Sequence, residues 1–447
     1  MLLLFLLLLG GEAEIRSGVA KGTGTVRLPA GVVEIESEIQ IPDGAHDLEI
    51  LGAREGTLLR AASNFKGRAV FSCGKGVRIR FSDFSIDGNR AELERPMEIA
   101  PYDTPFVRFY PNNGLLAERV SGLTVHNVRF VNIANFPILV SGSQGVRIEG
   151  VRIEDSGSRN RKGRNNTTGG ILLEEGTSKF DIVNCDFRRI RGNGAWTHSL
   201  YTSPRNGPGS ISGNRFDTLG RDAIQVGHAT GVRVERNQGN RIGFPANDVD
   251  MENRAIPVAI DTAGNVDHSV YSGNRFEEIN GKCIDLDGFH DGEILRNECV
   301  NRRPPEAYAY GNYGIVMNNS NPDMQSERIT IAENIIDGAL FGGIFVIGSG
   351  NVVERNTLRN LNLAHCNENA VKFGCYYAQG EPDMLRAGIY LGRGAERPAP
   401  ARGNKIRGNR ISGFRMKTRC IAFAPGVDRG ANHVDANLCD DGEGPDR

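Results

Sequence analysis

Val270-Tyr271-Ser272-Gly273-Asn274-Arg275-Phe276 holds the pattern that decides the fold: a short strand, a tight turn carrying Asn, and a second strand resuming on an apolar residue. The pattern returns along the chain. Ile211-Ser212-Gly213-Asn214-Arg215-Phe216, Ile406-Arg407-Gly408-Asn409-Arg410-Ile411, Val234-Glu235-Arg236-Asn237 and Leu295-Arg296-Asn297-Glu298 repeat it, as do Val125-His126-Asn127-Val128 and Ile182-Val183-Asn184-Cys185. Asn334 and Asn356 add two more, and Gly150 fills the slot between Ile148 and Ile153. Successive slots lie mostly 22 to 37 residues apart, one coil of short strands plus a variable loop. Asn suits the slot because it tolerates left-handed backbone geometry and bonds its own main chain. Stacked at the strand spacing of about 4.8 Å, identical amides can also form a ladder. The pattern predicts an all-β, right-handed parallel β-helix solenoid with loop insertions. Asn184, Asn214, Asn237, Asn274, Asn297, Asn334 and Asn356 should share one turn region of successive coils.

Size and composition agree with repetition. A chain of 447 residues exceeds the usual single-core domain, and its 57 Gly against 19 Pro, with short aliphatic runs, suit many short strands and tight turns. The expected organisation is a signal peptide or disordered N-terminus over 1–21, one β-helix domain over 22–438 and a tail over 439–447. Leu2 to Leu9 is too short to span a bilayer but has the length of a secretory signal core. It predicts a secreted or periplasmic protein without stable membrane insertion. Lys and Arg (53) nearly balance Asp and Glu (54) and neither sign forms a long block, which argues against a nucleic-acid partner. Eight cysteines fit an oxidising compartment. Cys366 and Cys375 bracket a polar segment and are expected to bond, whereas Cys283, inside an apolar strand, is expected to be a small core residue.

On these repeats the sequence resembles the pectate-lyase-like superfamily of right-handed parallel β-helix proteins, which includes polysaccharide lyases, polygalacturonase-type hydrolases and alginate epimerases. The segment Gly22-Thr23-Gly24-Thr25-Val26-Arg27-Leu28-Pro29-Ala30-Gly31-Val32 looks like the N-terminal capping coil of many members. Gly220-Arg221-Asp222-Ala223-Ile224 is similar to the Gly-Asp-Asp-Cys-Ile segment of polygalacturonases, with Arg221 in place of the first Asp. Asp287-Gly288-Phe289-His290-Asp291 resembles the Asp-Pro-His-Asp motif of alginate C5-epimerases, with one extra residue and no Pro. The Asn-Thr-Asp and Gly-His-Gly signatures of polygalacturonases are absent. No subfamily is assigned.

Each Asn-bearing strand follows, usually by 12 or 13 residues, another strand in which apolar and other residues alternate. Alternation points the second and fourth residues outward. These strands start at Ile138, Ile171, Trp196, Ile224, Val258, Ile284, Ile315, Ile344 and Ile389, giving outward pairs that include Thr197/Ser199, Ala259/Asp261 and Asp285/Asp287. Aligned so, Asp261 should sit beside Asp287, one strand spacing away. Opposed like charges cost stability. Crowded carboxylates also split their pKa values, so that one can protonate a glycosidic oxygen while the other stays charged. Asp261, Asp285 and Asp287, with His290 nearby, are therefore the candidate catalytic residues. The same oxygen-rich group would accept Ca²⁺, the one cofactor that the pattern accommodates. The bland alternative is Asp placed at strand ends for turn geometry.

Asp222, His228, His198, Glu174 and Tyr390 align with the same face as candidate substrate contacts. The insertion from Asn301 to Gly314 adds Arg302, Arg303 and Tyr310, and that from Leu361 to Ala387 carries His365, Lys372, Tyr376, Tyr377 and Arg386. Tyr rings stack on sugars and Arg grips uronate carboxylates. The reading is an exported carbohydrate-active enzyme acting on a polysaccharide or oligosaccharide, with glycosidic hydrolysis by paired carboxylates first. A uronate lyase or C5-epimerase is the enzymatic alternative, with Lys282, His290, Arg302 or Arg303 as base. A non-catalytic carbohydrate-binding or surface scaffold is the alternative of a different class.

Overall fold

The computed structural model describes residues 2–250, 256–367, 375, 380–394 and 396–442. Two compact units make up the chain, one of Met1–Gly220 with Asn247–Asp250, the other of Arg221–Ala246 with Met251–Arg447. Both are built in the same way.

In the first unit a helix, Leu2–Val19, precedes the coils and buries Ile15 and Val19. No described helix is long and apolar enough to cross a membrane. One parallel column then runs through Gly24–Arg27, His46–Leu51, Val77–Ser82, Ser121–His126, Gln144–Glu149, Ser178–Val183 and Gly209–Ser212, each strand paired with the next. A second column contains Asn113–Glu118, Ile138–Ser141, Ile171–Glu174 and Ala195–His198. A third contains Ser85–Asp87, Arg129–Val131, Arg152–Glu154, Asp186–Ile190 and Arg215–Leu219. Three short strands per coil, stacked in parallel, define a β-helix. Gln144–Glu149 shows why the sequence folds so: Val146 and Ile148 are buried while Arg147 between them is exposed. Stacking then lays each apolar pair on that of the next coil.

The second unit repeats this plan, and its turns carry the ladder. Asn237, Asn274, Asn297, Asn334, Asn356, Asn409 and Asn437 are linked in sequence. In each step the next residue's Oδ1 accepts from the backbone N–H and the side-chain amide of the one before. Each buried amide thus has donors and acceptors satisfied together.

In the first unit Asn214 takes the ladder position, its Oδ1 accepting from Cys185 N at 2.8 Å. Asn184 does not. It occupies the preceding residue, exposed and left-handed at φ 54°, and Cys185 fills the buried slot. Asn127 (φ 52°) and Gly150 (φ 63°) hold that same left-handed position, with Val128 and Val151 buried after them. Two adjacent turn positions, one needing left-handed backbone and one needing a ladder amide, both attract Asn, and the repeat merged them.

Cys366 and Cys375 form a disulfide, as expected, with Cα atoms 5.8 Å apart. Cys283 is not a free core thiol: it is bonded to Cys299, in the third strand of its own coil, across a Cα distance of 6.0 Å. Cys420 and Cys439 form a third bridge. Cys73 and Cys185 are free, and burial pushes both thiols up to about 12.

Candidate active site

Four aspartates of the second unit meet across three consecutive coils. Strands Ile224–Thr230, Val258–Asp267, Lys282–His290 and Tyr313–Asn318 lie side by side in parallel. In register, Gln225 faces Asp261, Asp261 faces Asp285, and Asp285 faces Val316. Asp287 stands opposite Ala263, not Asp261. The expected Asp261–Asp287 pairing is therefore corrected by two residues, because Ile260 rather than Val258 aligns with Ile284. A shift of two keeps the side chain on the same face, so Asp261 still points outward.

The side chains around this column are polar and mutually engaged. Asp261 Oδ2 accepts from the Gln225 amide at 2.7 Å. Lys282 donates to Asp285, three residues along its own strand. Asp287 accepts from Ser320, at 2.9 Å from the backbone N–H, and also from its hydroxyl. Asp222, in the turn before Ile224, accepts from Val258 N at 2.9 Å, and its neighbour Arg221 is likewise buried.

Burial sets the protonation of this group. It pushes Asp261 well above the usual carboxylate range, and the charges of Asp222 and Asp285 push further while Lys282 opposes them. Asp222 is pushed up to about 6, again by burial first, with Arg221 the leading opposing influence. Burial raises Asp287 too, against the hydrogen bond from Ser320. The arrangement thus sets carboxyl groups whose proton affinity is raised by burial beside Asp285, which accepts from an ammonium. Ca²⁺ does not fit this donor set. Lys282 occupies Asp285, and among the described residues no three His, Cys, Asp or Glu side chains are placed to hold a metal ion.

Other expected contacts fall elsewhere. His290 lies on the same strand as Asp285 and Asp287, but its ring bonds Asp291 at 2.7 Å and Asn265 at 3.0 Å. His228 follows Gln225 by three residues and is buried, with left-handed backbone at φ 45°. Arg302 is engaged with Asp337 at 2.5 Å, and Arg303 lies 3.6 Å from Glu278 and over the Phe244 ring. Tyr310 donates its hydroxyl to Ala246 O at 2.6 Å. Lys372, Tyr376 and Tyr377 lie outside the described residues.

Two expected ligand contacts are corrected outright. Tyr390 is fully buried and stacked on Phe345, so it is a packing residue. Glu174, in the first unit, is fully buried. Its carboxylate accepts from the N–H groups of Phe106 and Val107 at 2.8 and 2.9 Å, and burial pushes it up to about 7 against those bonds. It anchors an insertion whose Phe106 and Tyr110 pack with Phe136, Leu139, Leu172 and Trp196. That strand is also shifted: Ala195, not Trp196, aligns with Ile171, so Trp196 and His198 take the outward positions expected of Thr197 and Ser199. His198 there packs its ring against Phe106.

Lys282, Gln225 and Ser320 were not singled out for their places in the cluster. Strand alternation points residues three apart to opposite faces, so it gives no signal for Lys282 meeting Asp285, and Ser320 arrives from a loop that alternation does not describe.

Against known proteins, the chain matches the family described as a right handed beta helix region over residues 106–256. No curated protein sequence matches it. Among solved structures it is similar to DFA-IIIase from Arthrobacter chlorophenolicus A6 in complex with GF2, at 13% identity over 93% of this chain and 88% of that one, TM-score 0.53. It is similar to the catalytic domain of a GH87 alpha-1,3-glucanase in complex with tetrasaccharides, at 14% identity over 95% and 66%, TM-score 0.52. It is similar as well to PfbA, a surface adhesin of Streptococcus pneumoniae, at 14% identity over 78% and 86%, TM-score 0.52. At such identities the likeness is one of fold. The chain is a right-handed parallel β-helix.

Proposed function

We propose that this β-helix chain is a carbohydrate-active enzyme that hydrolyses glycosidic bonds of a polysaccharide or oligosaccharide. The observation that carries the reading is the in-register opposition of Asp261 and Asp285, with the Gln225 amide donating to Asp261 and the Lys282 ammonium to Asp285. Asp261, its proton affinity raised by burial and by its acidic neighbours, gives its proton to the glycosidic oxygen. Asp285 supplies the negative charge, as nucleophile or as base for water. The two backbones stand one strand spacing apart, about 4.8 Å. The charges of Asp222 and Asp287 raise the proton affinity of Asp261 further. Similarity of fold to a DFA-IIIase and a glucanase, each solved with saccharides, supports the substrate class. Three disulfides support a location outside a reducing compartment.

Elimination is the less favoured chemistry. An ammonium already donating to Asp285 has no lone pair with which to take a proton from a uronate, and His290 is held by Asp291 and Asn265. The test is a panel of neutral and acidic polysaccharides, following both reducing ends and the absorbance of unsaturated uronates. New reducing ends without unsaturation are expected. Unsaturated products would replace hydrolysis with elimination, and no product from any glycan would leave a binding scaffold.

A further inference from the structure

A groove of about 560 Å³ lies in the first unit, on the turns that follow its first strand column. Four arginines line it, Arg27, Arg54, Arg129 and Arg152, against a single acid, Asp83, whose Oδ1 accepts from the Asn127 amide at 2.7 Å. Arg129 and Arg152 face each other in register on adjacent strands. Like charges so placed repel. Arg129 is compensated by Glu154 at 2.7 Å. Arg27, Arg54 and Arg152 have no ion pair to any described residue, and the acid in register with Arg152, Asp186, is taken by Arg188 at 2.6 Å.

Elsewhere on this unit pairing is the habit. Arg60 meets Asp87, Arg68 meets Glu118, and Arg78 meets Asp47. A set of uncompensated guanidinium groups converging on one concavity is a different arrangement. The turn backbone also leaves room: a side chain at Gly56 would meet nothing within 4 Å, and at Gly150 only a contact at 3.9 Å. A ligand can therefore approach the main chain between the arginines.

We infer that this groove is a second glycan-binding site, distinct from the aspartate cluster, which takes an acidic polysaccharide along the coil stack. Coils repeat at about 4.8 Å, so guanidinium groups on different coils present a row of forks to the carboxylate or sulfate groups of an extended chain. The choice of glycan rests on the enzymatic reading above. A nucleic acid is disfavoured because the one aromatic residue in the lining, Phe84, is buried and offers no base a stacking face.

The test is affinity electrophoresis in gels containing polygalacturonate, chondroitin sulfate or a neutral β-glucan, with a single-stranded oligonucleotide as competitor. Wild type should be retarded by an acidic glycan and not by the neutral one, less so as salt rises. Polygalacturonate and chondroitin sulfate separate carboxylate from sulfate recognition. The variant Arg27→Gln/Arg54→Gln/Arg152→Gln should lose roughly tenfold in apparent affinity, a modest figure because exposed ion pairs return little. Charge reversal at one exposed turn, Arg54→Glu, is the second variant and should weaken retention as well. Asp261→Asn should bind like wild type. Equal retention of wild type and both arginine variants, no retention of wild type, or displacement by the oligonucleotide alone would overturn the inference. Cleavage is read separately: a protein that releases reducing ends yet ignores acidic gels loses this site and keeps its activity.

Discussion

Asp261 and Asp285 stand directly opposite one another on adjacent parallel strands, Asp261 accepting from the Gln225 amide and Asp285 from the Lys282 ammonium. Two like residues one strand spacing apart are thereby made chemically unlike. Burial and acidic neighbours raise the proton affinity of Asp261, while Asp285 has an ammonium beside it, an asymmetry that suits acid-assisted glycosidic cleavage.

Asp222 makes stability depend on pH in a stated direction. Its folded pKa, about 6, lies above the ordinary 3.8, so the folded state binds the proton more tightly. The stability it contributes is full below about pH 4 and is lost as pH rises through about 6. Asp222→Asn keeps an oxygen for Val258 N and removes the buried charge. Thermal melts should show the variant a few degrees more stable than wild type at pH 7 and no different at pH 3.5. Parallel pH curves would show that Asp222 carries no such burden.

The ladder and the left-handed position should respond differently to substitution. Asn297 is buried, donates to Tyr271 O at 2.8 Å, and accepts from Asn274. Asn297→Ala should lower stability by about 1–3 kcal/mol for each buried group left unsatisfied. Asn184, exposed at φ 54°, should accept Gly within about 0.5 kcal/mol. Urea denaturation measures both, and equal effects would erase the distinction between the two turn positions.

Glu174 should control the insertion that it anchors. Replacing it by Gln puts an amide donor against the N–H of Phe106 or Val107, a loss of about 1–3 kcal/mol at a buried site. The chain has one tryptophan, Trp196, packed 5.1 Å from the Phe106 ring. Its emission should shift to the red in Glu174→Gln as the insertion loosens. Unchanged emission would mean that the aromatic packing holds the insertion without the carboxylate.

Much of this was legible in the residues, and the limits have physical causes. Repeating Asn marks a turn because few side chains satisfy that backbone, so the β-helix could be read without an alignment. Facing was legible for Asp261, Asp285 and Asp287 because alternation has period two and survives a slip of two residues. The partner of Asp261 was not, since loop length before Val258 sets register and leaves no periodic trace. A slip of one at Ala195–His198 was costlier, turning the buried Thr197 into an expected surface residue. The burial of Glu174 and Tyr390 depends on what packs over a strand, information held in distant segments.

Turnover of Asp261→Asn, measured on whichever glycan the wild type cleaves, tests the central claim most directly. Asn can still accept from Gln225 but cannot give up a proton at neutral pH. Asn matches the protonated acid in size and removes a group that burial makes costly to ionise, so the melting temperature should be unchanged or higher. Loss of the acid should lower kcat by roughly 10²–10⁴-fold. A variant that folds as stably as wild type and turns over at a near-normal rate would contradict the assignment of Asp261 as the proton donor.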